Sequence, residues 1–340
     1  MELPVRIRRA PGPEPVISVD GAWDAPGLNL SHWPGNRTPR ELRHDLSTGV
    51  ALRFARLARE RRSELARGCT AIVNNHYDTD GSCSLFAVRH PARALELEAA
   101  LLDAAAAGDF YRLPSERAFC VDAIVHALSD PERSPLALAG LDELARHQAA
   151  TDRLMDDLPA VLEADLAPWG PLWEEPLEGL RADLAALEGC ERDVVTHLDW
   201  TVYAARGPAA ESLDPCRHAL LGKTGSDRVL FLAEAPAGTR CRLVIGTLSW
   251  FDLVSRSREP RPRLGELAER LNELEGADPA AESAWRAQDV ESPSPELWFG
   301  LADHDMFADR CPALRPSRLE PAQLRREIAD CLRATVPLPA

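Results

Sequence analysis

Residues 70–86, TAIVNNHYDTDGSCSLF, carry the densest set of side chains able to do chemistry. An apolar run ends in two asparagines, and His76, Asp78 and Asp80 then follow at alternate positions before a Gly-Ser pair. Because side chains repeat every second residue in extended backbone, these three project to one side. A solvated turn with a helix cap is the simpler alternative, but a cap needs only one carboxylate. Imidazole and carboxylates at the end of a strand therefore predict a metal site.

Three further residues at predicted element ends extend this ligand set. His32 follows an apolar stretch in LNLSHWPGN, Asp45 precedes a Ser-Thr helix start, and Asp109 lies in a Gly-Asp-Phe sequence that we interpret as a helix stop. Alone, His32 fits a loop histidine and Asp109 fits the end of a helix. Together the set offers oxygen and nitrogen ligands without sulfur. It predicts two divalent ions, Mn²⁺ ahead of Mg²⁺ or Zn²⁺, which could activate water and hold a phosphoryl oxygen.

The overall composition limits the classes of partner. The net charge of −15 argues against a stable nucleic-acid partner, yet it is compatible with a small anionic substrate at a local metal site. The eight cysteines include no Cys-x-x-Cys pair and are expected to be free thiols. The sequence has no apolar run of membrane length and no apolar signal core near its start, so we expect a cytoplasmic protein without a membrane segment. A homodimer is compatible with this sequence.

The elements that must position these residues follow from hydrophobic periodicity. Residues 1–15, rich in Pro and Arg, are predicted to be an irregular lead-in. Strands at 28–30 and 70–75 flank a helix, so we expect them to be parallel neighbours in a β-α-β unit. This pattern predicts an α/β domain over residues 1–133, with strands at 16–20, 28–30 and 70–75 and helices at 40–61, 82–88, 91–107 and 116–128.

The rest of the chain divides into two further regions. Residues 134–190 are almost entirely of helical character, broken near 167–173 by two prolines, and are interpreted as a helical insertion or linker. Residues 191–340 predict a smaller α+β domain, in which Asp303-His304-Asp305 is expected to be a solvated loop. Its predicted strands lie at 193–204, 228–233 and 241–248, and its helices at 264–274 and 321–332.

Two of the motifs resemble those of the DHH phosphoesterase superfamily. NHYDTDGSCS is similar to its Asp-x-Asp-containing first motif, with Asp78 and Asp80 matching the metal-binding aspartates. His76 stands where the single-strand exonuclease branch has an aspartate. LNLSHWPGNRTP resembles the motif in which a strand leads into Asp-His-His, with His32 in the centre of a Ser-His-Trp sequence.

The resemblance extends to two other positions and also shows departures. HDLSTGVALRF resembles the following motif, with Asp45 as the match, and Asp109 is the candidate for the remaining motif aspartate. The motif order is permuted, and the Gly-Gly-Gly-His motif of the usual second domain is absent. The whole chain also resembles an uncharacterised, mostly actinobacterial family that shares SHWPGN, NNHxDxDG and AAGDF.

The resemblance implies a parallel-sheet, DHH-like N-terminal domain, a helical insertion and a smaller α+β C-terminal domain. It also implies metal-dependent hydrolysis of a phosphoester or phosphoanhydride in a small molecule or short oligonucleotide. A binding module that kept the fold without turnover, and a metal-assisted enzyme of specialised metabolism acting on a non-phosphate substrate, are the alternatives. The expected roles are metal binding by Asp45, His76, Asp78, Asp80 and Asp109, acid–base catalysis by His32 and His76, and substrate binding by Asn74, Asn75 and Arg37.

Overall fold

A computed structural model describes residues 2–21, 23–302 and 309–335 of the chain. The predicted loop at Asp303-His304-Asp305 lies outside these ranges. The chain forms two compact units, the first of Met1–Glu178 with Phe251–Ser257 and the second of Gly179–Trp250 with Arg258–Ala340. The predicted α/β class is confirmed, because the two sheets are accompanied by eleven α-helices in the described residues.

The sheet of the first unit has four strands, all parallel, in the order β1-β4-β2-β3. Its strands are β1 Val5–Ile7, β2 Val16–Val19, β3 Gly27–Leu30 and β4 Ile72–Asn74. Ile17 and Ile72 pair across the middle of the sheet and are fully buried, as expected for parallel strands covered on both faces. The prediction that the strands at 28–30 and 70–75 are neighbours was wrong. They are parallel, but β2 lies between them, because the long connection from β3 to β4 passes over one strand.

Strand β1 corrects the prediction of an irregular lead-in. Val5 and Ile7 alternate with an exposed arginine, which is the pattern of a half-buried edge strand. The side chain of Gln148 covers that edge: its Oε1 accepts from the backbone N–H of Ile7 at 2.9 Å, and its Nε2 donates to the carbonyl of Val5 at 3.3 Å. One amide side chain therefore satisfies backbone groups that would otherwise be an open edge.

Eight helices follow one another along residues 47–188. They are α1 Ser47–Arg56, α2 Arg59–Leu65, α3 Thr79–Arg89, α4 Pro91–Glu96, α5 Glu98–Phe110, α6 Glu116–Ser129, α7 Glu143–Glu163 and α8 Gly170–Glu188. The predicted helix at 40–61 is instead a 3₁₀ turn at Arg40–Leu42 followed by α1 and α2. The break falls at Leu57 and Ala58, whose extended backbone interrupts the helical hydrogen bonds.

Helix α5 continues past the point at which the sequence predicted its end. Gly108 is helical, and a Cβ at this position would lie 2.9 Å from the Cβ of Thr79 and 3.0 Å from Oδ1 of Asp122. Glycine is therefore needed for close helix packing and does not end the helix. Tyr111, with φ of +52°, takes the left-handed conformation that ends α5 after Phe110. As a result, Asp109 projects from the last turn of a helix.

The second unit is built on a mixed sheet in the order β5-β6-β7-β8-β10-β9, antiparallel except between β6 and β7. The strands are β5 Glu191–Val195, β6 Trp200–Arg206, β7 Arg228–Ala235, β8 Gly238–Ile245, β9 Ala284–Ala287 and β10 Glu296–Gly300. The helices are α9 Arg217–Gly222, α10 Leu264–Glu275 and α11 Pro321–Arg333. Leu243, Leu271 and Ile328 belong to the core that joins this sheet to α10 and α11. Among the described residues no helix is both long and apolar enough to cross a bilayer.

Candidate metal centre

Buried acidic and imidazole side chains meet at one edge of the parallel sheet. Parallel strands all end at the same edge, so residues that follow them converge there. Helices α3 and α5 bring two more carboxylates to the same place. The residues that meet are Asp20 after β2, His32 after β3, His76 and Asp78 after β4, Asp80 in the first turn of α3 and Asp109 in the last turn of α5.

The first set of ligand atoms, which we call the His32 group, comprises Asp20, His32, Asp80 and Asp109. One ligand atom from each residue lies within 4.8 Å of all the others. Nε2 of His32 is 3.0 Å from Oδ2 of Asp109 and 3.6 Å from both Oδ1 of Asp20 and Oδ2 of Asp80. Three carboxylates therefore surround one imidazole nitrogen, and the His32 side chain is fully buried.

The second set, which we call the His76 group, comprises Asp20, His76 and Asp78. Nε2 of His76 lies 2.8 Å from Oδ2 of Asp20 and 2.9 Å from Oδ2 of Asp78. Asp20 therefore belongs to both groups, with Oδ1 directed to His32 and Oδ2 to His76. A single carboxylate therefore serves two adjacent groups of candidate ligand atoms.

In each of the two imidazole rings an acceptor holds Nδ1, so that Nε2 faces the carboxylates. Nδ1 of His32 contacts the carbonyl oxygen of Asp45, which can only accept, so this nitrogen carries the proton. Nδ1 of His76 contacts the side-chain oxygen of Asn75 at 2.6 Å. Nε2 of His76 donates to Oδ2 of Asp78 at 2.9 Å, whereas Nε2 of His32 has no hydrogen bond. A neutral ring with its proton on Nδ1 would offer the Nε2 lone pair to a cation. Metal-binding histidines show this arrangement, with the second nitrogen held by an acceptor.

The polar atoms of Asp20 show how the pocket fits a cation. Both of its carboxylate oxygens are buried without a hydrogen bond, as is Nε2 of His32. Oδ2 of Asp20 is close to Nε2 of His76, but the contact does not have hydrogen-bond geometry. An unsatisfied buried carboxylate is costly, and native proteins rarely leave one uncompensated. This buried Asp/His cluster could hold a metal ion, since a cation would supply the missing partner.

The backbone at Asp20 is also unusual. Its φ of +62° lies in the left-handed region, which a residue other than glycine seldom adopts. The adjacent Gly21 has no room for a side chain, because a Cβ there would lie 2.2 Å from Oδ1 of Asn75. The tight turn after β2 therefore packs against the residue that orients His76, and it places the Asp20 carboxylate between the two groups.

The carboxylates from α3 are fixed by backbone N–H groups. Oδ1 of Asp80 accepts from the N–H of Thr48 at 2.7 Å, and Oδ2 accepts from that of Ser47 at 2.8 Å. Asp80 thus caps the N-terminus of α1, which explains why that helix begins at Ser47. Asp78 caps its own helix, with Oδ1 accepting from the N–H of Gly81 at 2.8 Å. Both side chains are held in place without an ion.

Crowding of like charges shifts the titration of these groups. Burial, then the charges of Asp109 and Asp20, raise the pKa of Asp80 well above its ordinary value. Burial raises the pKa of Asp109 well above its ordinary value, and the negative charges of Asp78 and Asp20 raise it further. Burial alone would lower the pKa of His76, but the charges of Asp78 and Asp20 raise it well above 6.5. Protons therefore bind this pocket readily, and a metal ion has to compete with them.

Aromatic rings border both groups. The ring of Phe251 stacks on that of His32, with centroids 3.8 Å apart and planes inclined by 20°. Phe110 packs at the edge of the same pair, 5.9 Å from Phe251 and 6.2 Å from His32. Trp33 lies 4.9 Å from His76 at an angle of 35°. Apolar surface thus covers part of each imidazole and limits the access of water to it.

The structure brings together five of the residues predicted for the site, but it places Asp45 differently. The Asp45 carboxylate accepts from the backbone N–H groups of Val254 at 2.6 Å and Ser255 at 3.0 Å, and it is in neither ligand group. Its carbonyl, in contrast, orients His32. The role of Asp45 as a metal ligand stays a prediction, whereas its observed contacts orient His32 and hold the backbone at Val254 and Ser255.

The three predicted substrate-binding residues lie around the site. Asn75 orients His76, and Asn74 is buried, with its Oδ1 accepting from the N–H of Asn75 and its Nδ2 without a hydrogen bond. The guanidinium of Arg37 donates to the carbonyls of Trp23 and Ala25. Their contact with a substrate stays a prediction.

Sequence reasoning overlooked Asp20 and Phe251. Asp20 ends a predicted strand, as His32 does, so the rule that ligands follow parallel strands applied to it as well. An Asp-Gly pair is also typical of an ordinary turn, so the local sequence does not distinguish a ligand from a turn residue here. No local pattern indicates that Phe251, more than two hundred residues away, stacks on His32.

The fold and the site define an α/β protein with a buried Asp/His cluster able to bind metal. Residues 6–339 match a family described as "Family of unknown function (DUF6687)", and the chain belongs to this family. This match confirms the expected membership of an uncharacterised family. No curated protein shows significant similarity to the chain.

Proposed function

We propose that the protein is a metal-dependent hydrolase that cleaves a phosphoester or phosphoanhydride in a small molecule or a short oligonucleotide. The observation that carries the proposal is the position of Asp20, whose two oxygens face two separate ligand groups. The resemblance of residues 70–86 to the first motif of the DHH phosphoesterases supports the same chemistry.

The donor atoms favour a pair of Mn²⁺ ions. The His32 group offers three carboxylates and one imidazole, and the His76 group offers two carboxylates and one imidazole. Such oxygen-rich sets without sulfur suit Mn²⁺ or Mg²⁺, and the imidazoles favour Mn²⁺ of these two. When bound, two such ions activate a water molecule and stabilise charge on a phosphoryl oxygen during displacement.

The residues of the chain prepare the site for this reaction. Asp20 would bridge the ions, while Asp45 and Asn75 hold the rings of His32 and His76 in the orientation that a ligand requires. Both nitrogens of each ring are occupied in this arrangement. We therefore assign the two histidines to metal binding rather than to the acid–base catalysis expected from the sequence. Phe251 keeps water from one face of His32.

The experiment that tests the proposal combines metal content with hydrolysis. Purified protein should contain a divalent metal by elemental analysis, and with added Mn²⁺ it should hydrolyse one class in a panel of phosphomonoesters, phosphodiesters and pyrophosphates. Asp20→Asn should lower the rate by more than about 100-fold, since even indirect partners of a metal site cost 10- to 100-fold. Asp24→Asn is the matched control, because this carboxylate lies in the same β2–β3 connection and is wholly exposed.

Two outcomes contradict the proposal. Metal binding without hydrolysis of any member of the panel favours a binding module, or an enzyme that acts on a non-phosphate substrate. A hydrolytic activity that Asp20→Asn and Asp24→Asn leave equally intact would come from another site or from a contaminant.

A further inference from the structure

The segment Phe251–Ser257, which we call the strap, is a separate stretch of chain that belongs to the first unit. All other residues of that unit come from Met1–Glu178, so the strap is its one contribution from the C-terminal half of the chain. None of the residues that the sequence predicts as metal ligands lies in the strap. Its contacts within the first unit concentrate on His32 and on the residue that orients His32.

Three sets of contacts link the strap to the His32 group. The ring of Phe251 stacks on the imidazole at 3.8 Å, and Phe251 is only 4% exposed. The N–H of Asp252 donates to the carbonyl of His32 at 2.9 Å. Val254 and Ser255 donate their N–H groups to the carboxylate of Asp45, the residue whose carbonyl holds Nδ1 of His32.

These contacts fix the imidazole in every direction that matters for a ligand. The stacked ring sets the plane of the imidazole, the carbonyl of Asp45 sets its rotation, and the backbone bond sets the position of the residue. A ligand must be held to within a fraction of an ångström for full affinity, and its supporting contacts provide that precision.

The His76 group has a different set of supports. His76 is oriented by Asn75 next to it in sequence, Asp78 caps α3, and the ring of Trp33 covers the imidazole. None of these contacts involves the strap. The two halves of the centre, although they share Asp20, therefore depend on different parts of the chain.

We propose that the strap is a positioning element for the His32 group alone, with Phe251 as its principal residue and a divalent cation as the ligand whose binding it controls. This inference rests on the proposed two-metal site. It makes the affinity for one of the two ions depend on residues 251–257, while the affinity for the other does not.

The test is a titration of the metal-free protein with Mn²⁺, in which electron paramagnetic resonance measures the free ion. The parent should bind two ions per chain. Phe251→Leu keeps an apolar side chain but removes the stacked ring, and it should weaken one binding step by 10- to 100-fold while leaving the other unchanged. The signal of two coupled Mn²⁺ ions should be lost at concentrations that still fill one site.

Two further variants separate a positioning role from a general structural one. Trp33→Leu removes the ring beside His76 and should weaken the other binding step, so the double variant should show two independent losses. Asp45→Asn keeps the carbonyl that holds His32 but weakens the anchor of Val254 and Ser255. It should resemble Phe251→Leu, and the two together should cost little more than either alone, because both act through the strap.

The possible results differ in what they overturn. A parent that binds no Mn²⁺, or only one ion, overturns the proposed two-metal site and this inference with it. A parent that binds two ions, with Phe251→Leu binding both as tightly or losing both equally, overturns the role of the strap and leaves the two-metal site intact. Unfolding in EDTA gives the folding control for each variant, and a folded Asp45→Asn that matches the parent also contradicts the strap.

Discussion

The two units both bury charged side chains, but they neutralise them in different ways. In the second unit Arg217 and Arg242 are fully buried on one glutamate. Oε1 of Glu296 accepts from Arg217 at 2.7 Å and from Nη2 of Arg242 at 2.6 Å, while Oε2 accepts from Nε of Arg242 at 2.9 Å. In the first unit the equally buried carboxylate of Asp20 has no hydrogen bond at all.

This difference separates a structural network from a ligand site. Buried charges that find their partners within the chain require no further ligand. The Asp20 carboxylate has no hydrogen bond and lies among further buried carboxylates, so it leaves negative charge that a proton or a cation can balance. Burial of charge by itself would not have distinguished the two places. The two places are distinguished by whether each buried polar atom has a hydrogen-bond partner.

The largest effect should come from disrupting the buried network of Arg217, Arg242 and Glu296. Arg242→Met leaves Glu296 buried with fewer partners, which should lower the free energy of unfolding by about 3–5 kcal/mol. Urea denaturation should show the same loss in EDTA and in Mn²⁺, because the network requires no ion. Arg270→Met, at a largely exposed position on α10, is the control and should change the free energy of unfolding by less than about 0.5 kcal/mol. A dependence of the Arg242→Met loss on Mn²⁺ would remove the distinction between the two places.

A smaller effect should come from binding Mn²⁺ at the Asp/His cluster of the first unit. Mn²⁺ at a hundred-fold excess over its dissociation constant should raise the free energy of unfolding of the parent by about 2.7 kcal/mol. Asp20→Asn should lose this gain, yet in EDTA it should unfold no more easily than the parent, because it removes a charge that had no hydrogen bond. Asp80→Asn should be less stable even in EDTA, because the asparagine side chain has only one acceptor oxygen for the N–H groups of Ser47 and Thr48. Thermal unfolding of the three proteins measures this, and an unchanged midpoint of the parent with Mn²⁺ would exclude the metal site.

The most gradual effect is a dependence on pH, in which the stability in EDTA should fall with rising pH while the gain from Mn²⁺ should rise. In EDTA the folded pKa values of Asp80 and Asp109 lie above the unfolded value of about 3.9, so their contribution to stability is present below that pH and is lost as pH rises through the folded pKa values. His76, with a raised pKa, contributes in the same direction, whereas Asp78, whose pKa the charge of His76 lowers to about 2 despite burial, titrates below the range of interest. The metal-free protein should therefore lose stability from pH 5 to 8.

The gain from Mn²⁺ should increase over the same range, because the ion replaces protons on these groups. Unfolding midpoints at several pH values, each with EDTA and with Mn²⁺, measure both trends. The loss caused by Arg242→Met provides the contrast. Burial alone would lower the pKa of Arg242, but Glu296 raises it above its ordinary value, so this loss should not vary between pH 5 and 8. Parallel trends with EDTA and with Mn²⁺ would show that the ion does not bind the titrating carboxylates.

The sequence was informative where a residue's role depends on its neighbours in the chain. The strand at 72–74 is local, and the apolar pattern predicted it. A helix cap in this segment was the alternative to a metal site, and Asp78 provides that cap while it also lies in the cluster. Gly108 misled the prediction, since a glycine before a loop-like sequence is typical of a helix end. Its actual role is to let α5 approach Thr79 and is fixed by packing.

The remaining features depend on distant partners. The carbonyl of Asp45 and the ring of Phe251 both act on His32, but nothing near either residue in sequence indicates that contact. Likewise β3 and β4 are parallel yet separated by β2, a choice that depends on the whole sheet.

The order of strands in the first sheet has a consequence for folding during synthesis. β4 is the last of the four strands in the chain, yet it lies between β1 and β2, which share no hydrogen-bonded edge. During synthesis, β1 has no place in the sheet until residues 72–74 have left the ribosome, some 65 residues later. Closing so long a loop is slow, and the nascent chain exposes the unpaired edge of β2 in the meantime. Because β4 also brings His76, Asp78 and Asp80 to the edge, the His76 group can assemble once the sheet is complete, whereas the His32 group also needs Asp109, which follows later in the chain.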